Sequence, residues 1–241
     1  MAKNDVRNSI KLTSVDDLFT TEESRAEQQR EKVMDIPLSE ISDFPNHPFK
    51  VKADEAMLEM ADSVKQYGVL VPGLVRPKAD GGYEMVAGHR RKKASELAGK
   101  EAMPCIIREL DDDQATIIMV DSNLQRESIL PSEKAFAYRM KLEAMNRQGQ
   151  RTDLTCAQVG HKLTGIKSRD ILAEQMGESK NQISRYIRLT ELIPSILDMV
   201  DEKQIAFNPA VELSYLAEKE QQELYDTMQS EDCTPSLAQA Q

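Results

Sequence analysis

The chain has 241 residues, of which 40% are hydrophobic and 30% are charged, enough apolar material for two or three small domains. It has no apolar run of about 18 residues and no signal-peptide core at its polar N-terminus, which argues against a membrane or secreted protein. Three scattered cysteines and three scattered histidines argue against a zinc site. We therefore expect a reduced, cytoplasmic protein.

The net charge of −10 is unevenly distributed along the chain. Residues 191–232 contain eleven Asp or Glu and two Lys, whereas the rest of the chain is close to neutral. An acidic protein repels nucleic acid at long range. Any contact with DNA is therefore expected to come from local basic surfaces.

The first segment, residues 1–35, is polar and charged and predicts a flexible N-terminal arm. Five apolar side chains in it could form one face of a short helix when a partner is bound: Ile10, Leu12, Val15, Leu18 and Phe19. A tail without a role is the alternative interpretation.

A small mixed α/β domain is predicted over residues 36–126. Residues 53–68 have the periodicity of an amphipathic helix that ends at Gly68, with four apolar side chains facing inward: Met57, Leu58, Ala61 and Val64. Three apolar segments are predicted as strands: residues 73–77, 83–87 and 103–110.

From residue 111 onward the pattern is helical, and residues 127–232 are predicted to form an all-α domain. Helices are expected at residues 111–125 and 132–148, and three or four more follow residue 190. Residues 148–167 are either an inserted loop or a helix extension. Residues 233–241 begin a helix without a stop signal, which indicates the start of a C-terminal element that is truncated or missing.

Residues 168–190 have the spacing of a helix-turn-helix. Ala173 allows two helices to touch, Gly177 suits the tight turn, and Ile183 packs the second helix against the first. The second helix presents polar and cationic side chains that suit the major groove of DNA: Ser179, Lys180, Asn181, Gln182, Ser184, Arg185 and Arg188. A helical hairpin with a solvated polar face is the alternative, but the coincidence of these residue types with the turn glycine favours DNA binding.

Four cations in a row follow Gly88, at the start of a helix predicted over residues 90–98. This end of a helix is unfavourable for positive charge, because its unpaired backbone N–H groups are already positive. Three interpretations are open: a solvated helix face, a contact to the DNA backbone, and a phosphate site. In the last, the N–H groups and the guanidinium groups of Arg90 and Arg91 would bind an anion together.

Together with residues 67–77 and 123–138, this segment resembles the ParB family of chromosome- and plasmid-partition proteins. In that family a strand-turn-helix carries Gly-Glu-Arg-Arg, a later helix carries Glu-Asn-x-x-Arg, and a helix-turn-helix follows. The order and spacing agree from about residue 36 to about residue 216. The resemblance implies an α+β chain, with a small mixed nucleotide-binding domain followed by an all-α helix-turn-helix domain.

The resemblance also implies a function. ParB proteins are homodimeric clamps that load onto a palindromic, centromere-like site in double-stranded DNA, bind CTP with Mg2+, close and slide. Slow CTP hydrolysis, a ParA-type ATPase engaged by the N-terminal arm and a nucleoid-associated location in the cytoplasm, away from membranes, belong to this picture. The alternative is a sequence-specific DNA-binding regulator, of the nucleoid-occlusion or plasmid type, without a working nucleotide switch.

Enzyme chemistry of other kinds has less support in the sequence. Sulfiredoxin shares the N-terminal fold family and carries a cysteine in its turn, whereas this turn contains only His89. Nuclease activity would need a cluster of carboxylates to hold metal ions, and the acidic residues at 111–113 are better explained as a helix start.

Position by position, the resemblance assigns nucleotide binding to nine residues: Gly68, Pro72, Arg76, Gly88, His89, Arg90, Arg91, Asn123 and Arg126. Asn123 is also the implied metal ligand. Three positions depart from the family pattern, since His89 and Ser122 each replace a glutamate and Val211 replaces an arginine. The change at position 122 removes a carboxylate from the implied magnesium site.

Overall fold

The computed structural model describes residues 32–51, 54–126, 128–155, 168–231 and 233–235, without the side chains of residues 150–155. The first half is a mixed sheet with helices and the second half is helical, so the predicted α+β class is confirmed. Among the described helices, none is both long enough and apolar enough to cross a lipid bilayer.

Five strands form the sheet: β1 Val33–Pro37, β2 Ile41–Ser42, β3 Gly73–Pro77, β4 Tyr83–Ala87 and β5 Ala102–Ile107. Their order is β1-β5-β3-β4-β2, with β1–β5 and β3–β4 antiparallel and the other two pairs parallel. Strands β3 and β4 have their predicted bounds. Residues 33–35, placed by the sequence in the flexible arm, instead belong to β1, because they pair with residues 104–106 of β5.

Three helices accompany the sheet: α1 Glu55–Tyr67, α2 His89–Leu97 and α3 Asp112–Leu124. Helix α1 ends at Gly68, whose φ is 74°, as predicted. The predicted inward orientation of Leu58 is wrong, because this side chain is 59% exposed and lies one position away from the buried stripe of α1. Asp111 caps α3 and accepts from the N–H of Gln114, which confirms the helix start predicted from the aspartates.

The described residues of the second half form six further helices: α4 Pro131–Thr155, α5 Ser168–Met176, α6 Lys180–Arg188, α7 Pro194–Asp201, α8 Phe207–Leu213 and α9 Glu218–Glu231. Because α4 continues to Thr155, residues 148–155 extend a helix and are not an inserted loop. The remaining predictions for residues 1–31, 156–167 and 236–241 lie outside the described residues.

Helix α4 joins the two halves. Three nearly successive side chains of this helix enter three different cores. Ala137 packs under the sheet beside Val86, Tyr138 packs between the helices of the predicted helix-turn-helix, and Ala135 packs against the C-terminal helices. The sheet domain and the helix-turn-helix therefore both pack on α4.

Candidate nucleotide and DNA-binding sites

The predicted phosphate-binding turn lies where β4 ends and α2 begins. Gly88 has a φ of 117°, a conformation that L side chains rarely adopt. A Cβ at this position would lie 3.3 Å from Cα of Gly73, on the neighbouring strand. No side chain among the described residues caps the first turn of α2. The backbone N–H groups of this turn are thus available to an anion.

His89, the first residue of α2, is buried and lies against a second histidine. Its ring centroid is 3.9 Å from that of His47, and the two planes are tilted by 40°. Burial lowers the pKa of His89 to about 3, and the adjacent His47 adds to this change. His47 was not predicted as a site residue. Its sequence signal is weak: it is one of three histidines and sits in a loop without periodicity.

Two predicted phosphate ligands, Arg90 and Arg126, converge on this region from different helices. Arg90 places one guanidinium nitrogen 3.6 Å from the Asp54 carboxylate, and its buried Nε has no partner among the described residues. Arg126 stacks its guanidinium 5.6 Å from the centroid of Phe49. Burial lowers the pKa of Arg126, Glu133 opposes this change, and the positive charge of Arg90 adds to it. The positive charges of Arg90 and Arg126 thus act on each other, and a carboxylate acts on each of them, Asp54 on Arg90 and Glu133 on Arg126.

The third predicted arginine, Arg91, is tied to the backbone. Its Nη1 donates to the carbonyl oxygens of Val71 and Pro72, at 2.6 Å each. Pro72 and Arg91, both predicted in the nucleotide site, are thereby brought together beside Gly88. Burial lowers the pKa of Arg91. This arginine joins the segment between α1 and β3 to the first turn of α2.

The two lysines that follow have intramolecular partners. Lys92 is buried and forms an ion pair with Asp43 at 2.7 Å. Burial alone would raise the pKa of Asp43, but the hydrogen bond and charge of Lys92 lower it on balance. Lys93 is half-exposed and pairs with Glu96 on the same helix. The solvated-face interpretation thus describes Lys93 and does not describe Lys92.

Arg76 lies on β3, and Gly68 lies at the end of α1. Arg76 crosses from β3 to β4, donating from Nε to Glu84 at 2.6 Å and from Nη1 to Asp112 at 2.7 Å. Gly68 ends α1 and begins the segment that leads to Pro72. Both assignments to the nucleotide site stay predictions, and the visible role of Arg76 is to join the sheet to the start of α3.

Asn123, the implied metal ligand, is buried near the end of α3. Its amide nitrogen donates to the Met119 carbonyl at 2.8 Å and lies 3.4 Å from the Ser122 hydroxyl. The neighbouring carboxylate of Asp121 is directed away, into an ion pair with Lys141 on α4. Within the described residues, no group of three His, Cys, Asp or Glu side chains could hold a metal ion.

The predicted helix-turn-helix is present as α5 and α6. Gly177 has a φ of 64° in the turn, and Ala173 and Ile183 are buried between the helices, as the spacing predicts. The Ser179 hydroxyl caps α6 by accepting from the N–H of Gln182 at 3.1 Å. Lys134 of α4 pairs with Glu178 in the turn, which fixes α5 and α6 against α4.

The cations of α6 are held by neighbouring groups. Arg185 donates to Asn208 on α8 at 2.7 Å, and Arg188 donates to the Ser214 carbonyl at 2.7 Å and lies over the ring of Tyr215. Lys180 pairs with Asp170 of α5 at 2.9 Å. Ser184 donates its hydroxyl back to its own helix. Asn181 and Gln182, in the first turn of α6, are the amide side chains of the predicted set.

Val211, which replaces the family arginine, is a core residue of α8 and is 3% exposed. The acidic helix α9 packs on the core through Gln221 and Met228. The Gln221 amide accepts from the N–H of Ile193 at 2.8 Å, which secures α9 to the start of α7. Glu218, Glu220 and Glu223 of this helix are exposed.

The fold defines the class of protein. It has a mixed-sheet domain, in which one helix begins with a cluster of cations, followed by a helix-turn-helix domain. Residues 22–124 match the ParB N-terminal domain, and residues 133–235 match the ParB HTH domain. The chain belongs to the ParB family, and the resemblance inferred from the sequence is confirmed.

Two curated relatives have different names. The chromosome-partitioning protein Spo0J of Thermus thermophilus is 32% identical over 72% of this chain, and a nucleoid occlusion protein of a Geobacillus species is 30% identical over 83% of it. The chain spans 56% and 64%, respectively, of the length of these relatives.

The C-terminally truncated ParB of Caulobacter crescentus, solved in two complexes, is also similar. In the complex with the centromeric parS site it is 22% identical with a TM-score of 0.49, covering 86% of this chain and 96% of that one. In the complex with CTP-gamma-S it is 24% identical with a TM-score of 0.37, and the match covers 82% of this chain and 98% of that one.

Proposed function

We propose that this chain is a DNA-binding partition protein that acts as a CTP-dependent sliding clamp, loaded at a centromere-like site during chromosome or plasmid segregation. The observation that carries the proposal is the group of basic side chains at the start of α2. Arg90 and Arg126 influence each other electrostatically there, beside an N-terminus that no described side chain caps. Asp54 and Glu133 offset part of this positive charge, and a bound anion would offset more of it.

A triphosphate fits the chemistry of this region. Helix N–H groups and guanidinium groups are both strong donors to phosphate oxygens. The buried nitrogens Arg90 Nε, His47 Nε2 and His89 Nε2 have no partner among the described residues, so a ligand has groups to bind. The cytosine base is supplied by family membership, because the residues themselves do not select it.

Magnesium would accompany the triphosphate, with Asn123 as the ligand that the family implies. An amide oxygen is a weaker ligand for Mg2+ than a carboxylate, and Ser122 offers a hydroxyl where a glutamate is usual. We therefore expect magnesium to strengthen CTP binding less than it would with a glutamate at position 122.

On the DNA side, α6 would enter the major groove. The clamp would be a homodimer, with two copies of α6 reading two halves of a palindrome. The N-terminal arm, residues 1–35, would engage a ParA-type ATPase. The proposal places the protein on the nucleoid in the cytoplasm, and slow CTP hydrolysis would reopen the clamp.

The test is calorimetry of the full chain with CTP, UTP, ATP and GTP, each with and without Mg2+ and with and without DNA carrying a centromere-like palindrome. We expect binding of CTP in preference to the other three and tighter binding with DNA present. Absence of binding for all four nucleotides would exclude the clamp and leave the helix-turn-helix as the functional element.

The second candidate is a sequence-specific DNA-binding regulator without a working nucleotide switch. Two observations favour it: Ser122 and Val211 depart from the family pattern, and a relative covering 83% of this chain is named a nucleoid occlusion protein. A plain regulator would bind its operator with the same affinity at any CTP concentration, whereas a clamp would not.

A further inference from the structure

Two of the three histidines of the chain meet at the start of α2. Strand β2 pairs in parallel with β4, so the loop that follows β2 runs beside the turn that follows β4. That loop contributes His47, and the turn contributes His89. The rings lie in contact, and a cavity of about 190 Å3 adjoins them, with Lys92 also in its wall.

One hydrogen bond sets the tautomer of neutral His47. Nδ1 of His47 lies 2.8 Å from the Phe49 carbonyl oxygen, so Nδ1 carries the hydrogen and donates it. Nε2 of a neutral His47 is then a bare lone pair. Nε2 of His89 is buried too, and neither Nε2 atom has a hydrogen-bond partner within the described residues.

The charged groups around the pair are mixed in sign. Asp43, from the same loop as His47, faces both rings and is already paired with Lys92 of α2. Arg126, from the end of α3, faces both rings, and Glu133 of α4 faces His47. Lys93 and Glu96 of α2 line the cavity beside the pair, so carboxylates and cations both surround the two rings.

We propose that His47 and His89 together form a proton-linked ligand for phosphate, so that a triphosphate binds at the start of α2 with uptake of a proton by the pair. This rests on the proposed nucleotide site and specifies its regulation. A neutral histidine presents a lone pair that repels a phosphate oxygen, whereas a protonated one donates a charged hydrogen bond. The proton is taken from the buffer.

The direction in which CTP affinity depends on pH follows from the protonation of the pair with and without a bound phosphate. Without an anion, burial lowers the pKa of both histidines, that of His89 to about 3, so the pair is neutral near pH 7. A bound phosphate favours the protonated form and raises the pKa. The contribution of the pair is therefore present at low pH and is lost as the pH rises through the pKa of the bound state.

The experiment is titration of the full chain with CTP in two buffers of different ionisation enthalpy, at several pH values from about 6 to 8. Uptake of one proton makes Kd rise by up to about tenfold per pH unit. The terminal phosphate itself titrates near pH 6, so the same series is measured for His89→Gln, which keeps a polar side chain but cannot take up a proton. His161→Gln, which changes the third histidine, is the matched control.

We expect proton uptake and a steep pH dependence in the wild type and in His161→Gln, and a clear reduction of both in His89→Gln. CTP binding with the same proton uptake in wild type and His89→Gln would overturn the histidine proposal and leave the nucleotide site intact. Absence of CTP binding at every pH would overturn both. Absence of proton uptake in the wild type would overturn the histidine proposal whether or not His89→Gln folds.

Discussion

Within the described residues, every cation of α2 and of α6 has a partner, but only the start of α2 also adjoins buried nitrogens without one. On α6, the two arginines and the lysine each have a partner on a neighbouring helix or loop. At the start of α2, buried nitrogens of Arg90, His47 and His89 have no partner in the part of the chain that the structure describes.

This contrast separates two kinds of binding surface. A buried polar group without a partner costs about 1–3 kcal/mol, which a ligand recovers on binding. This feature supports the proposal that a triphosphate binds at the start of α2. The cations of α6 are oriented in advance by Asn208 and Ser214, which is suited to docking on a rigid surface such as a DNA groove.

The largest effect is expected at Arg126. Replacing it with alanine removes a cation and the stacking on Phe49, while its neighbour Arg90 stays in place. Charged hydrogen bonds contribute about 1.5–3 kcal/mol each, so CTP affinity should fall by roughly 10- to 100-fold. Calorimetry of Arg126→Ala against wild type measures this loss.

The matched control for this variant is Arg139→Ala, which removes an exposed arginine that pairs with Glu143 and Glu191. Its CTP affinity should stay within about twofold of wild type, because exposed ion pairs contribute little. Equal losses in both variants would mean that CTP responds only to net charge, and the site at α2 would lose its support.

The second effect compares the glycines of the two turns. A Cβ at Gly88 meets the Gly73 backbone at 3.3 Å, whereas a Cβ at Gly177 meets nothing within 4 Å among the described atoms. Gly177→Ala should cost only the strain of a left-handed residue, about 1 kcal/mol. Gly88→Ala carries strain and a backbone contact, and should cost about 2–3 kcal/mol.

Chemical denaturation of the two alanine variants measures the difference in unfolding free energy. A Gly88→Ala variant no less stable than Gly177→Ala would show that β3 can move away from the turn. The close approach of Gly73 and Gly88 would then not be a fixed feature of the nucleotide site.

The third effect concerns Gln182, in the first turn of α6. Gln182 is one of the predicted base-reading residues, and its side-chain amide is the type of group that makes paired hydrogen bonds to adenine. Gln182→Ala should weaken binding to the specific site by about 1–3 kcal/mol and leave non-specific binding unchanged. Fluorescence anisotropy at fixed salt, with specific and scrambled duplexes, measures both. An equal loss on the two duplexes would remove Gln182 from base recognition.

The parts of the fold that the sequence predicted are those with local causes. Gly68 and Gly177 end helices because they adopt a left-handed conformation, and Asp111 starts one because its carboxylate caps the first turn. The helix-turn-helix could be predicted for the same reason, because Ala173, Gly177 and Ile183 lie close together in the sequence. Strands β1 and β2 were missed because β2 has two residues and β1 is defined by pairing with a distant strand.

The candidate site was predicted only in part, for a related reason. The basic run after Gly88 is visible in the sequence because its residues are neighbours. His47 and Phe49 are not, since the pairing of β2 with β4 brings their loop to the site across about 40 residues. That Lys92 is buried also depends on a distant partner, Asp43, and no local pattern distinguishes it from the half-exposed Lys93.

The smallest effect on DNA binding is expected from the acidic helix α9. It tests whether α6 binds DNA without an acidic helix beside the duplex. Helix α9 buries Gln221 and Met228, which turns its glutamates toward solvent. Charges act on DNA only within about 8–10 Å at physiological salt. If α9 lies away from the duplex, changing Glu218, Glu220 and Glu223 to glutamine should alter DNA affinity by less than about twofold and leave its salt dependence unchanged. Tighter binding by tenfold or more would place α9 beside the DNA, and α6 would then dock against a repulsive neighbour.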